Sequence, residues 1–172
     1  MSEKTASESG LVSFGERLAN SQVFSALFRE GMGLVEETAA YLDGPGRKES
    51  KALTRSAALA YATESMRLTT RLMQLASWLL LHRAVKEGEM SLAQAHKEKA
   101  KVKLAPGETS DEHALAMLPE RLGELIARSK ALADRVRRLD ATIYAVPAER
   151  PAANPVERQL GLLKAAFEDG SV

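Results

Sequence analysis

The sequence contains no cysteine among its 172 residues. This absence excludes a disulfide framework, a thiolate zinc site, an iron–sulfur cluster and a cysteine nucleophile. Aromatic residues make up only 5% of the chain, and runs that alternate β-branched or aromatic residues with polar ones are missing, so no strand is predicted. Lys and Arg total 24 against 23 Asp and Glu. Because this balance gives no overall field that attracts polyanions, nucleic acid is not an expected partner.

Long hydrophobic runs are also missing. The most apolar stretch, residues 72–81, includes Gln74 and Ser77. It is roughly half of the ~20 residues that a membrane-spanning helix needs. The first ten residues, MSEKTASESG, are polar and acidic, whereas a signal peptide is first basic and then apolar. We therefore expect a soluble, cytoplasmic protein without membrane insertion.

The chain is long enough for one domain with its own hydrophobic core. Residues 1–20 are mostly polar and predict a flexible N-terminus. Residues 21–145 carry helical periodicity and predict one helical bundle domain. Pro147, Pro151 and Pro155 mark residues 146–172 as a proline-containing linker followed by a flexible amphipathic tail.

The first predicted helix begins near Ser21, a favourable N-cap residue. One helical face repeats at spacings of four and three residues: Phe24, Phe28, Gly31, Val35, Thr38 and Leu42. The sequence Asp43-Gly44-Pro45-Gly46 ends this helix, because we expect Gly44 to adopt the left-handed conformation of a C-cap and proline cannot continue a helix.

A second, longer helix is predicted to begin between Arg47 and Thr54 and to run to about Lys86. Its first apolar face keeps the four–three alternation: Tyr61, Ser65, Leu68, Leu72, Leu75 and Leu79. A second apolar stripe lies beside it: Met66, Met73, Ala76 and Leu80. A helix this apolar around its circumference is buried on more than one side. We therefore expect a second copy of the chain to cover the second stripe, in a homodimer whose seam includes Met73, Leu80 and Trp78.

Shorter helices and a third long helix follow. Ser91 with Gln94, and Thr109 with Glu112, each predict a capping box. From about Pro119 a long helix keeps one apolar register: Leu122, Leu125, Ser129, Leu132, Val136, Leu139 and Ile143. The predicted fold is all-α, an elongated antiparallel bundle of three long helices with short accessory helices.

Residues suited to catalysis or metal binding are scattered along the chain. His82, His96 and His113 lack the four-residue spacing with which two imidazoles on one helix ligate a metal. No serine lies in a nucleophile-elbow sequence. We therefore expect no enzymatic activity, no cofactor and no metal.

Three charged residues interrupt the apolar middle helix: Glu64, Arg67 and Arg71. Their spacing of three and four residues places them on one helical face. One interpretation is an ion pair at the edge of the bundle. The other is a partner-binding site that fixes dimer register or receives an acidic partner, since an arginine amid apolar surface is costly without a carboxylate.

The C-terminal tail carries an amphipathic pattern, in which Val156, Leu160, Leu163 and Phe167 recur at helical spacing. Pro155 suits the first position of a helix. One interpretation is that this segment docks back onto its own bundle. The other is a tethered helix that binds a groove of another protein, with the proline-rich linker as the spacer.

Three long stretches form a pattern that covers roughly residues 28–145. They are EGMGLVEETAAYLDGPGRKES at residues 30–50, LAYATESMRLTTRLMQLASWLLLHRAVKEGEM at 59–90 and LPERLGELIARSKALADRVRRLDATIY at 118–144. Together they resemble the regulator of CtrA degradation family of alphaproteobacteria. The N-terminus and the end of the tail lie outside this resemblance.

The resemblance implies a small helical-bundle protein that forms a homodimer and acts as an adaptor for the ClpXP protease. Such a protein helps to deliver cell-cycle regulators, including the response regulator CtrA, for timed degradation. It acts with co-adaptors, one of the response-regulator type and one that binds cyclic di-GMP, and is recruited to a cell pole. The family has no catalytic residues to carry over. The alternative is a structural or transcription-linked helical dimerisation module with no protease connection.

Overall fold

A computed structural model describes residues 21–102, 104 and 110–145. These residues form six α-helices, and none of them lies in a strand. The helices are α1 (Gln22–Asp43), α2 (Pro45–Lys51), α3 (Arg55–Lys86), α4 (Leu92–Lys99), α5 (Glu112–Ala116) and α6 (Glu120–Ile143). The all-α prediction, with three long helices and short accessory ones, is confirmed.

The first helix begins as the sequence predicts but ends differently. The Ser21 hydroxyl caps α1 by accepting from the backbone N–H of Phe24 at 3.4 Å. Gly44 has φ −111°, so the expected left-handed cap is wrong. Glycine is needed there because a Cβ would lie 2.9 Å from the carbonyl oxygen of Ala40. Pro45 then begins α2 at once, since its fixed φ suits the first turn of a helix.

Side-chain caps fix the starts of α4 and α5, whereas α6 begins without one. The predicted capping box of Ser91 and Gln94 is present at α4. At α5, Asp111 caps by accepting from the N–H of His113 at 3.0 Å, so the predicted Thr109 cap is wrong. Pro119 occupies the N-cap position of α6, one residue earlier than the first helical position.

The direction of α6 differs from the prediction. Side-chain contacts pair α3 and α6 in ascending order: Arg71 with Ser129, Trp78 with Asp140, and His82 with Tyr144. These two helices therefore run parallel, because the stretch that carries α4 and α5 returns the chain along the bundle. α1 is antiparallel to both, since its contacts descend along α3, from Phe28 with Arg83 to Gly31 beside Leu79, and along α6 through its two glutamate–arginine pairs. The expectation of a fully antiparallel bundle is thus corrected.

The core lies between the three long helices, and on α1 it includes three residues of the predicted face, Phe24, Gly31 and Thr38, but not the other three. The buried residues of α1 are Phe24, Leu27, Gly31, Leu34, Thr38 and Tyr41. Phe28, Val35 and Leu42, which the sequence placed on the core face, are only half-buried. They lie instead along the outer edge of the contact between α1 and α3.

Candidate partner-binding surface

The largest exposed apolar residues of α3 recur every seven positions. Leu59, Met66, Met73 and Leu80 expose 70%, 71%, 67% and 52% of their surface. Seven residues are nearly two helical turns, so the four side chains form one line, ~32 Å long at 1.5 Å per residue. We call these four residues the α3 stripe.

The α3 stripe has uncharged neighbours. The residues that share its face are small or short: Ala62, Thr63, Thr69, Thr70, Ala76 and Ser77. The threonines at 69 and 70 and Ser77 donate to carbonyls one turn back, at 2.8–3.0 Å, so their hydroxyls are satisfied within the helix. A long, uncharged face whose neighbouring side chains are short lets another helix approach closely.

A groove between α1 and α3 adjoins the stripe. Its upper part, which we call the upper groove, encloses about 320 Å³ and is lined mainly by apolar residues of both helices, including Val35, Leu42, Leu72 and Met73. Met73 belongs to both features. The half-buried residues of α1 therefore extend the apolar face beyond α3 itself.

The other part, which we call the lower groove, is larger and carries charge. It encloses about 580 Å³ between the first half of α1 and the end of α3, over Phe28 and Met32. Arg29, Arg83 and Lys86 lie on its rim. The Arg83 guanidinium lies 5.1 Å from the centre of the Phe28 ring, a cation–π contact that keeps the aromatic surface partly covered.

The expected dimer-seam residues separate into two groups. Met73 and Leu80 lie on the exposed stripe. Trp78 does not, because it is fully buried and its indole N–H donates to Asp140 Oδ1 at 2.8 Å. Trp78 lies five residues beyond Met73, on a different face of α3 that points towards α6. The expectation that Trp78 lies at the dimer seam is therefore corrected, because it is a core residue.

Trp78 belongs to a buried polar cluster that joins α3, α4 and α6. The ring of His82 stacks on Trp78 with centres 3.9 Å apart. His82 Nδ1 lies 2.9 Å from the Trp78 carbonyl oxygen, and Nε2 lies 2.8 Å from the Tyr144 hydroxyl. Because a carbonyl only accepts, we assign the proton to Nδ1, and Nε2 then accepts from Tyr144. Lys99 completes the cluster with an ion pair to Asp140 at 2.7 Å.

Burial shifts the ionisation of this cluster. It lowers the pKa of His82, and the hydrogen bond to the Trp78 carbonyl only partly offsets this. Burial, with a smaller contribution from the charge of Asp140, raises the pKa of Tyr144 to about 12. The imidazole and the phenol are therefore both neutral at pH 7, and the cluster serves as a structural tie between helices.

The charged residues of α3 do not form one exposed patch. Glu64 is only 2% exposed, so the expectation that it contacts a partner is corrected. Its carboxylate accepts from Arg67 at 2.7 Å, which is the edge ion pair of the first interpretation. Arg71 donates to Ser129 of α6 at 2.9 Å. Both arginines are partly exposed, and both are engaged within the bundle.

The remaining features concern metal binding, membrane spans and the two ends of the chain. Within residues 21–102, 104 and 110–145, no group of three His, Asp or Glu side chains could hold a metal ion. No described helix is long and apolar enough to cross a membrane. The tail residues Val156, Leu160, Leu163 and Phe167 lie outside the described residues, as do residues 1–20.

Sequence reasoning missed two parts of this surface. Leu59 is one heptad before Met66, so extending the spacing of seven backwards would have found it. The lower groove was harder to find, because Phe28 looked like a core residue and the cations come from two helices that are distant in sequence. Only the antiparallel packing of α1 and α3 brings Arg29 near Arg83.

Comparison with known proteins places the chain among relatives. The family model described as a protein of unknown function (DUF1465) matches residues 15–167. The crystal structure of RcdA from Caulobacter crescentus CB15 matches with 53% sequence identity and a TM-score of 0.63, over 76% of this chain and 98% of that one. The chain belongs to the RcdA family. No curated protein sequence matches significantly.

Membership of the RcdA family bears out the resemblance found in the sequence. The match to the RcdA structure covers about three-quarters of the present chain. The family model extends further, to residue 167, so it includes most of the tail. That neighbour, RcdA, is a regulator of CtrA degradation.

Proposed function

We propose that this protein is a non-enzymatic, homodimeric adaptor in the cytoplasm that helps to deliver cell-cycle regulators such as CtrA to the ClpXP protease. Membership of the RcdA family supports the pathway. The α3 stripe supports the mode of action, because a long uncharged face is suited to protein contact. Such an adaptor needs no chemistry of its own, since tethering raises the local concentration of cargo at the protease.

The homodimer forms through the α3 stripe, with Met73 and Leu80 at the seam. Exposed apolar surface of this length is costly to leave in water, at roughly 25 cal/mol for each Å² that a partner removes. The upper groove lies beside the stripe and accepts side chains from the second copy. A two-fold arrangement is the simplest closed one for identical chains.

Other surfaces bind the remaining partners. These are the protein cargo and the co-adaptors, one of the response-regulator type and one that binds cyclic di-GMP, which also recruit the protein to a cell pole. Arg67 and Arg71 provide partly exposed cations at the edge of α3. The tail provides an amphipathic helix through Val156, Leu160, Leu163 and Phe167, for a groove on a partner.

A reconstituted degradation assay tests this function. Purified ClpXP, both co-adaptors and CtrA are incubated with and without the protein, and CtrA is measured over time. We expect faster loss of CtrA only when the protein is present. The Leu160→Ser and Leu163→Ser double variant should lose the acceleration, whereas Leu162→Ser, a matched change on the opposite side of the tail helix, should keep it. No acceleration by the wild-type protein for any cargo would contradict the adaptor function and favour a dimerisation module without a protease connection.

A further inference from the structure

The lower groove combines an apolar floor with a charged rim, on which Arg29, Arg83 and Lys86 outnumber Glu36 and Glu87, and Glu87 pairs with Arg83. Phe24, Phe28 and Met32 form its apolar part. Arg29 is exposed on the rim and has no ion-pair partner among the described residues. The groove therefore suits a segment that presents large apolar side chains on one side and carboxylates at one end.

Beyond the adaptor function, we propose that residues 156–167 of the same chain bind this groove as a helix whenever no partner holds the tail. In this segment the apolar residues come first and the carboxylates follow them, which is the order that the groove requires. The apolar face of the segment ends at Phe167, and the carboxylates of Glu168 and Asp169 follow directly. The apolar residues pack on the floor, and the two carboxylates meet Arg29 and its neighbours on the rim.

The dimensions agree with this docking. The lower groove follows α1 from Ser25 to Glu36, which is ~17 Å at 1.5 Å per residue, and a twelve-residue helix is ~18 Å long. Tyr144, just after α6, contacts His82, the residue before Arg83 on the rim. The connecting residues 145–155 can extend over ~36 Å at 3.3 Å per residue, so they reach either end of the groove.

A second groove, between α1 and α6, is the rival site. It encloses about 470 Å³ and includes Val23 and Leu139. It has no aromatic residue, and one of its two cations, Arg135, already pairs with Glu30. Each groove therefore keeps one arginine without an ion pair among the described residues, Arg29 or Arg138, and the aromatic floor favours the lower groove for a segment that ends in Phe167.

Absence of cysteine allows a direct test in the full-length chain. The variant Gly33→Cys with Ala166→Cys places one thiol in the lower groove and one in the tail segment. A Cβ at Gly33 meets no atom within 4 Å, so this substitution is sterically open. The control pairs combine Ala166→Cys with Gly123→Cys, which is equally open, or with Val23→Cys, in the rival groove. The rate of intramolecular disulfide formation is measured at low protein concentration in dilute oxidised glutathione, and mass distinguishes it from cross-linking between chains.

We expect the Gly33 pair to close at least about tenfold faster than both control pairs, because docking raises the local thiol concentration above that of a freely tethered segment. Adding Leu163→Ser or Arg29→Glu to the Gly33 pair should remove this advantage, whereas adding Leu162→Ser should not. Equal rates for the Gly33 and Gly123 pairs would overturn the proposal, and so would faster closure of the Val23 pair. Since no protease or cargo is present, failure here is distinct from failure of the adaptor function.

Discussion

At the scale of single residues, Gly31 determines how closely α1 approaches its neighbours. A Cβ at this position would lie 2.4 Å from Leu79 Cδ1 and 3.6 Å from Leu132 Cδ2. Leu79 and Leu132 are fully buried. Since protein interiors are close-packed, an added methyl group must displace one of them. The glycine is therefore required by packing and not by the backbone, which is helical there.

We expect Gly31→Ala to lower the free energy of unfolding. Overpacking costs about 1–3 kcal/mol, which exceeds the gain of up to about 1 kcal/mol that alanine brings to a helix. Gly33→Ala is the matched control two residues away, where the Cβ meets nothing within 4 Å, so this variant should be stabilised. Chemical denaturation measures both. If both substitutions stabilised the protein, the Leu79 side chain would have to move aside for the added methyl group without lowering the free energy of unfolding.

His82 makes stability depend on pH. Its pKa in the folded protein is lowered from 6.5, mainly by burial. Because the unfolded chain binds the proton more tightly, the contribution of neutral His82 is fully present above about pH 6.5 and is lost as pH falls towards the lower pKa of the folded state. The groups that face the ring are Tyr144 just after α6, Asp140 of α6 and Lys99 of α4.

The pH dependence can be followed with Trp78, the single tryptophan of the chain. We expect the melting temperature, measured by tryptophan fluorescence, to fall between pH 8 and pH 5.5. In the His82→Gln variant the melting temperature should be lower at pH 8 and should vary less over this range. A variant with the same pH profile as the wild type would show that His82 is not the group that titrates.

At the scale of elements, charge specifies how α1 pairs with α6. Glu30 and Glu37 are seven residues apart on α1. Arg135 pairs with Glu30, and Arg128 and Arg121, which descend α6 in steps of seven, both pair with Glu37. The ladder fits only an antiparallel alignment in this register. Its pairs are partly exposed, so they contribute to the choice of alignment more than to stability.

Reversing the charges of one ion pair, Glu30 with Arg135, tests this alignment. Glu30→Lys should destabilise the protein by roughly the worth of an exposed pair, about 0.2–1 kcal/mol, because it places two cations together. The charge swap Glu30→Lys with Arg135→Glu should recover most of the loss. Glu36→Lys, on the same helix, is the control for added positive charge. A swap no better than the single variant would mean that the two side chains do not interact in solution.

The sequence predicted the helices better than their arrangement. Caps such as Ser21 and the Ser91–Gln94 box are local signals, so the starts of α1 and α4 were predicted correctly. The start of α3 was predicted only as a range, the α5 cap was wrong, and α2 was not predicted as a separate helix. The parallel course of α3 and α6 has no local signal, because it depends on how the chain returns through α4 and α5. Similarly, Trp78 was assigned to the surface because hydrophobicity alone does not indicate which partner, here Asp140, receives an indole N–H.

At the scale of the whole molecule, α3 is the central element. It packs against each of the other five helices, yet the four residues of the α3 stripe are still more than half exposed. The described helices therefore use the other faces of α3 and leave this one exposed. The sequence predicted this second stripe through Met66, Met73 and Leu80. Large apolar residues that recur every seven positions, with no charge between them on the same face, are typical of a buried helix face and not of a solvated one.

Sedimentation equilibrium of the Met73→Lys and Leu80→Lys double variant tests the central claim, that the α3 stripe is the contact surface of a homodimer. The wild-type protein should sediment as two chains, and the double variant as one chain with unchanged helical circular dichroism. Val23→Lys is the matched control, because Val23 is as exposed as Met73, at 67%, but lies outside the stripe; it should remain dimeric. A monomeric wild-type protein, a double variant that stays dimeric, or one that loses its helical signal would contradict the account.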